Sequence, residues 1–172
     1  MSKYHHSSQF LKRPPQQQQR EAVLPEPAVG MVVCYAYLWA REHKQGEVDG
    51  AKNRPCAILA VKNEEDGSKT VYVAPITHTP PFYPQDSILL PQETKRRLGL
   101  DTENSWMMCS EVNKFKWPGI DLRPIHRNGQ RTYTSGSLPA EISRQAQAKM
   151  QEINRHQHLK VVPRTAGPVA SR

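Results

Sequence analysis

A chain of 172 residues with a formal net charge of +8 and 37% hydrophobic residues is long enough for one domain with a buried core. No apolar run reaches the roughly 18 residues needed to span a bilayer, and the polar first residues lack the apolar stretch of a signal peptide, so the expected compartment is the cytoplasm. The basic excess points toward a polyanionic partner, yet residues 1–29 hold +2 of it and residues 158–172 hold +3, which leaves a mildly basic middle of +3.

The three cysteines, Cys34, Cys56 and Cys109, each fall inside an apolar run. An odd number without CxxC or Cys/His spacing argues against a disulfide framework and against a zinc site. Buried, reduced thiols are expected, with no metal and no cofactor.

In chain order, residues 1–28 are low in complexity: His5-His6-Ser7-Ser8, then Pro14-Pro15 and the glutamines 16–19, then Pro25-Glu26-Pro27. So few apolar side chains cannot offset the entropy of ordering, which predicts a disordered tail in which the paired histidines are incidental. Met31 to Tyr37 is a near-continuous run of apolar β-formers, too short for a typical helix, and reads as a buried strand. Trp39 to Asn53 reads as a long polar loop with glycines at 46 and 50, and loops of that length tend to be functional or mobile.

The stretch from Gly50 to Thr79 organises the rest. An Arg54-Pro55 step leads into an apolar strand from Cys56 to Val61, a turn at Glu65-Asp66-Gly67-Ser68, and a second strand from Thr70 to Ile76 ending in Thr77-His78. Asp-Gly between two apolar runs signals a hairpin, because the turn needs positive φ and glycine adopts it without strain. Antiparallel pairing then brings Arg54 near Thr77 and His78 at one end of the sheet. A cation, a hydroxyl and an imidazole gathered there suit a phosphate.

Beyond Thr79, Pro80 to Pro84 forms a rigid bend, Ser87 to Leu90 a short strand, and Pro91 to Leu98 a short helix closed by Gly99. Asn104 to Val112 reads as a strand, Ile120 to Leu122 as a brief extended piece, and Arg123 to Ser135 has no assignable element. Leu138 to His156 is a helix, since Leu138, Ile142, Ala146, Met150 and Ile153 share one face and Pro139 suits the first turn. From His158 onward the chain is polar and basic, and disorder is expected. The organisation is therefore a tail over residues 1–28, a domain over 29–157 and a basic tail over 158–172. The fold class is mainly β, a small and strongly curved antiparallel sheet or barrel carrying the helix.

The order Gly30-Met31-Val32-Val33, a glycine-containing loop, Arg54-Pro55 with its strand, and Val73-Ala74-Pro75-Ile76-Thr77 resembles the PemK/MazF family of toxin endoribonucleases. Further matches are Ser105 to Asn113, with Glu111, and the helix opened by Leu138-Pro139-Ala140-Glu141. The resemblance spans Val29 to Gln157. It implies an SH3-like barrel, a homodimer that cleaves single-stranded RNA without a metal, and a cognate antitoxin that covers the RNA groove. It also implies that Arg54 and Thr77 act at the scissile phosphate, and it carries two acidic positions over to Asp49 and Glu111. The chain departs from the family pattern in the loop, which is Asp49-Gly50-Ala51-Lys52-Asn53, and at Cys109, where some members have arginine.

The implied reaction attacks phosphorus with the ribose 2′-hydroxyl, leaving a 2′,3′-cyclic phosphate and a 5′-hydroxyl. It needs a proton acceptor, stabilisation of charge on the phosphate, and a proton for the leaving oxygen. Arg54 suits the second task, because its planar fork bonds phosphate bidentately and stays charged, and Thr77 suits orientation. His78, His43, Asp49 and Glu111 are all candidates to move protons, and the sequence does not choose among them. Each residue also has a plainer reading. Arg54 pairs with an acid, Thr77 ends a strand, His78 lies on the surface, Asp49 caps the turn at Gly50, and Glu111 is a solvated edge acid. Trp39, Trp106 and Trp117 read as core or dimer-interface residues, with base stacking open to Trp39. Two rival functions share the barrel: a non-catalytic binder that poisons a topoisomerase, and a module that binds RNA without cutting it.

Overall fold

The hairpin around Asp66-Gly67 is the spine of the sheet in a computed structural model that describes residues 22–50 and 52–164; the expectations for residues 1–21 and 165–172 lie outside these. Strand β1 (Met31–Ala36) is followed by a short helix α1 (Ala40–Lys44), so the stretch read as loop from Trp39 holds a helical turn. Strands β2 (Asn53–Asn63) and β3 (Lys69–Thr77) pair antiparallel, with Cys56 opposite Pro75 and Asn63 opposite Lys69. Gly67 closes their turn at φ +84°, the left-handed region that glycine enters without steric cost.

The chain continues through a 3₁₀ turn (Pro84–Asp86), β4 (Ser87–Leu89), α2 (Gln92–Arg97), β5 (Trp106–Met108), β6 (Glu111–Lys116) and β7 (Leu122–Arg123). The strand expected over Asn104–Val112 is thus two strands, interrupted at Cys109, whose amide donates to Asp86 O. The stretch read as unassignable folds into β8 (Ile125–Arg127), β9 (Gln130–Thr132) and β10 (Thr134–Ser137). Asn128 and Gly129, both at positive φ, make the β8–β9 turn. Helix α3 (Ala140–Arg155) follows, and then β11 (Lys160–Pro163).

That last strand corrects the expectation of disorder from His158. β11 pairs in parallel with β6, Val161 opposite Val112, and the reason is a buried arginine. Arg164 donates to Ala36 O at 2.8 Å and to Asn113 Oδ1 at 3.2 Å, and it pairs with Asp121 at 2.9 Å. Arg164 and Asp121 are 8% and 7% exposed. Hydrophobicity announced little of this strand, because Val162, packed on Leu38 and Ala40, is its one deeply buried apolar side chain and the rest of its anchorage is the ion pair.

The main sheet runs β10-β1-β2-β3-β5-β4, with β7 also on β1 and β6 also on β3. It does not close on itself. All of its pairings except β11–β6 are antiparallel. Successive residues of β1, β2 and β3 point to opposite faces, and here both faces are covered. Val32, Ala57, Leu59, Ala74 and Ile76 pack with Ile142, Ala146 and Met150 of α3, while Val33, Tyr35, Cys56, Ile58, Val73 and Phe115 form a second cluster. Double-sided burial is why these strands read as unbroken apolar runs rather than as alternating ones. The register of β2 on β3 slips between Ile58 and Ala60, and Gln147 of α3 donates to the carbonyl of Leu59 at 2.9 Å. The irregularity is therefore satisfied by the helix that covers it. Among the described residues no helix is long and apolar enough to cross a membrane.

The cysteines are free, with Cys56 and Cys109 buried and Cys34 half-buried. Burial pushes the Cys109 thiol up to about 12 and the Cys56 thiol higher still. Reaction with a thiol reagent at pH 8 is therefore expected at Cys34 first, and at the other two only on unfolding, as mass spectrometry of labelled peptides would read. Arg164→Ala leaves Asp121 buried with only the more distant Arg123, at 4.0 Å, to face it, a loss set against the ~3–5 kcal/mol that breaking a buried pair costs. A lowered urea midpoint at constant m-value is the expected signature.

Candidate functional site

Proline restricts the residue before it to extended conformations, so the Arg54-Pro55 step continues β2 straight out of the preceding loop, with Arg54 opposite Tyr35 of β1. The loop reaches this position only because residue 50 is glycine. A Cβ there would lie 2.5 Å from the carbonyl oxygens of both Ala36 and Tyr37, closer than real atoms approach. The β2–β3 register, Cys56 opposite Pro75, brings Arg54 to the level of Thr77. Both residues line one open cleft of about 420 Å³ with Lys52, His78, Asp101 and Ser105. The convergence expected from the hairpin is present.

Arg54 is held by an aromatic ring and not by an acid. Its guanidinium lies over the Trp39 ring, 5.1 Å from the centroid, a cation–π contact that favours the charge without neutralising it. Its Nε is buried and has no hydrogen-bond partner among the described residues. Leaving a charged donor buried and unpaired is costly, so the reading in which Arg54 merely pairs with a neighbouring acid does not describe this side chain. The group is poised to receive an anion.

Thr77 is 7% exposed, and its Oγ1 accepts from the amide of Thr79 at 3.2 Å. The hydroxyl proton is left to donate. Thr77 also borders a second, larger cleft of about 530 Å³, lined by Trp39, Arg41, Phe82, Tyr83, Asp86 and Glu111 among others. Arg41 lies over the same Trp39 ring at 5.1 Å. Phe82 and Tyr83 pack edge to face and stand 88% and 58% exposed, held out by the Pro80-Pro81 bend. A pair of aromatic rings in water at the rim of a cleft marks a contact surface more than a packing need.

The acidic candidates separate. Glu111 begins β6, not the end of a strand, and its Oε1 accepts from Tyr37 Oη and from the Ala40 amide, each at 3.0 Å. It thereby ties β6 to the start of α1 and holds Trp39 in place. Burial and the Glu111 charge push the Tyr37 hydroxyl well above its usual range, so it only donates. Asp49 is exposed and lines neither cleft, and the same is true of His43. The structure does not bring these two to Arg54.

His78 is brought there, and with partners that sequence reasoning missed. Its Nε2 lies 2.7 Å from Asp101 Oδ2 and its Nδ1 lies 3.3 Å from Glu103 Oε2. Lys95, 1% exposed, reaches out of α2 to Asp101 Oδ1 at 3.0 Å and also donates to the carbonyl of Glu103. Lys95 first, and His78 after it, hold the Asp101 carboxyl below its ordinary range. His78, Asp101 and Glu103 are the one group of potential metal ligands that converges among the described residues, their ligand atoms lying within 4.8 Å of one another. Asp101 is already engaged by the Lys95 ammonium, and His78 stands between the two carboxylates. A buried lysine in a helix written Gln-Glu-Thr-Lys-Arg-Arg carries no sequence signal that separates it from its exposed neighbours.

No family model matches the chain, and no curated protein matches it.

A carboxylate whose folded pKa is depressed adds stability above its unfolded value and loses it as pH falls through the folded one. In Lys95→Met, which keeps the stem packed and removes the charge, the Asp101 titration midpoint is expected to move up toward the ordinary aspartate value. Carboxyl chemical shifts followed by NMR against pH would read this directly.

Proposed function

We propose that the chain is a PemK/MazF-like endoribonuclease, the toxin of a type II toxin–antitoxin pair, which cuts single-stranded RNA without a metal. The observation that carries the proposal is the Arg54 guanidinium, partly buried and without an anionic partner, in one cleft with the Thr77 hydroxyl. The antiparallel sheet crossed by α3 supports the SH3-like barrel part of the reading.

In this reaction the 2′-oxygen of the ribose attacks phosphorus, the O2′–P bond forms and the P–O5′ bond breaks. Charge accumulates on the non-bridging oxygens, where Arg54 donates two parallel hydrogen bonds and Thr77 donates a third. Trp39 holds the guanidinium rigid, so little reorganisation is needed at the moment of charge build-up. The larger cleft takes the neighbouring nucleotides. Stacking on Phe82, Tyr83 or Trp39 tolerates any base, because every base has a π-face, and Arg41 adds a positive charge beside the strand. An antitoxin segment that covers the two clefts and places a carboxylate on Arg54 would inhibit by occupying the phosphate position, and a homodimer would extend the RNA path onto a second copy.

The rivals, a barrel that binds a topoisomerase and an RNA module that does not cut, share the fold and predict no scission. The deciding experiment incubates the purified chain with a defined RNA in EDTA and maps the ends. Products bearing 2′,3′-cyclic phosphate and 5′-hydroxyl are expected. Removing one charge-stabilising donor costs ~10²–10³ in rate, so Arg54→Ala should cut that much more slowly while melting at the wild-type temperature; an undiminished rate would sink the assignment. Phe82→Ala with Tyr83→Ala should weaken binding of a 2′-deoxy-blocked oligonucleotide by roughly 1–3 kcal/mol per lost stacking contact, measured by fluorescence anisotropy.

A further inference from the structure

We infer that His78 is the proton donor to the leaving 5′-oxygen, and that Asp101, itself fixed by Lys95, is the anchor that orients it, Glu103 being an outer contact given up when RNA binds. The inference rests on the endoribonuclease reading and adds to it the group that moves the proton.

The geometry narrows the choice. Of the residues able to transfer a proton, Glu111 is bonded to Tyr37 and to the Ala40 amide, while Asp49 and His43 line neither cleft. His78 lines the cleft that holds Arg54 and Thr77 and is the next residue after Thr77. Both of its ring nitrogens face carboxylate oxygens. A carboxylate only accepts, so at each contact it is the ring nitrogen that has to carry the proton. A ring carrying its proton on Nδ1 has that proton to give, which is what a general acid needs.

The two contacts are unequal. The Nε2–Asp101 contact is 2.7 Å, and Asp101 is itself fixed by the Lys95 ammonium at 3.0 Å, with Lys95 buried and also donating to the carbonyl of Glu103. The Nδ1–Glu103 contact is 3.3 Å to a side chain that is 72% exposed. Asp101 is therefore the anchor and Glu103 the partner that RNA displaces. The charged groups around the ring are these two carboxylates, Lys95 behind Asp101, and Arg54 and Lys52 across the cleft. When the O2′–P bond forms and the P–O5′ bond breaks, the 2′-hydroxyl proton passes to water and the Nδ1 proton passes to O5′. The neutral imidazole then regains a proton from solvent.

The test is single-turnover cleavage of a short RNA in EDTA by full-length wild type, His78→Gln, Asp101→Asn and Glu103→Gln. Positioned proton transfer contributes ~10²–10⁴, so His78→Gln should slow cleavage of ordinary RNA by that factor. It should still bind a 2′-deoxy-blocked oligonucleotide as wild type does, and, because a thiolate needs no proton to leave, it should cut RNA carrying sulfur at the bridging 5′ position almost as fast as wild type. The wild-type rate should fall at alkaline pH as the donor empties, and in Asp101→Asn that fall should move to lower pH, which a merely structural role for Asp101 would not produce. Glu103→Gln should change the rate little. His78→Gln cutting ordinary RNA at the wild-type rate, or failing to recover on the sulfur substrate, overturns the inference, as does cleavage that EDTA abolishes. Superimposable pH profiles for wild type and Asp101→Asn overturn the positioning device. If wild type cuts no RNA at all, the endoribonuclease reading fails, a result distinct from a His78 variant that cuts normally beside an inactive Arg54→Ala.

Discussion

An arginine stacked on a tryptophan, with its Nε buried and unpaired, is the constraint to which the surrounding structure answers. A guanidinium in that position is stable only if the ring beneath it stays put and an anion is at hand. Trp39 stays put because the residues on both sides of it are fixed. Tyr37 is buried and bonded to Glu111, the Leu38 amide and carbonyl bond the Asn113 side chain, and the Ala40 amide bonds Glu111. Every one of these partners lies on β6. Glu111 and Asn113 of that strand thus serve the placement of one ring, and through it one cation.

The same strand receives the end of the described chain. β11 lies on β6, and Arg164 bonds Asn113 and Ala36 while pairing with Asp121. The segment that closes the fold and the segment that braces Trp39 therefore share Asn113, whose Oδ1 accepts from both Arg164 and the Leu38 amide. Polar networks of this kind are worth having only when each member is satisfied, and here Asn113 is bonded on both its oxygen and its nitrogen. Loosening the last strand would be felt at the candidate site through this side chain.

The sequence reveals those parts of the molecule governed by apolar burial and turn chemistry. The β2–β3 hairpin, β1, α2 and α3 lie within a few residues of their expected positions, since each combines an apolar pattern with a capping or turn residue. What escaped was set by polar contacts between distant segments. β11 is held by an ion pair to Asp121, α1 begins where Glu111 satisfies its first amide, and Lys95 is buried because Asp101 and the Glu103 carbonyl receive it. One omission had a local signal. Asn128-Gly129 sits between short runs and closes the β8–β9 hairpin with both residues at positive φ, which the Asn-Gly pair foretells. At the site, Arg54, Thr77 and His78 could be grouped because one hairpin register places them together. Asp49 had no such register, and it lies apart.

Charge distribution makes the same point from the other side. The domain is only mildly basic, and many of its cations are spent locally: Arg96 and Arg97 on Glu93, Arg144 on Glu141, Arg155 on Glu152, Lys69 on Glu26. Most such surface pairs contribute little to stability and are screened by salt, so net charge says little about where an anion binds. What distinguishes a binding position is a cation that the fold declines to neutralise while withdrawing it partly from water. Arg54 is such a cation, half-buried on Trp39, while the exposed Arg41 lies over the same ring beside the larger cleft. A polyanionic strand laid across both clefts would meet them in succession, with Thr77 at the boundary. On the proposed reading, the smaller cleft, where the imidazole and its carboxylates stand, would take the group that reacts, and the larger, with its aromatic rim, the groups that only need to be held.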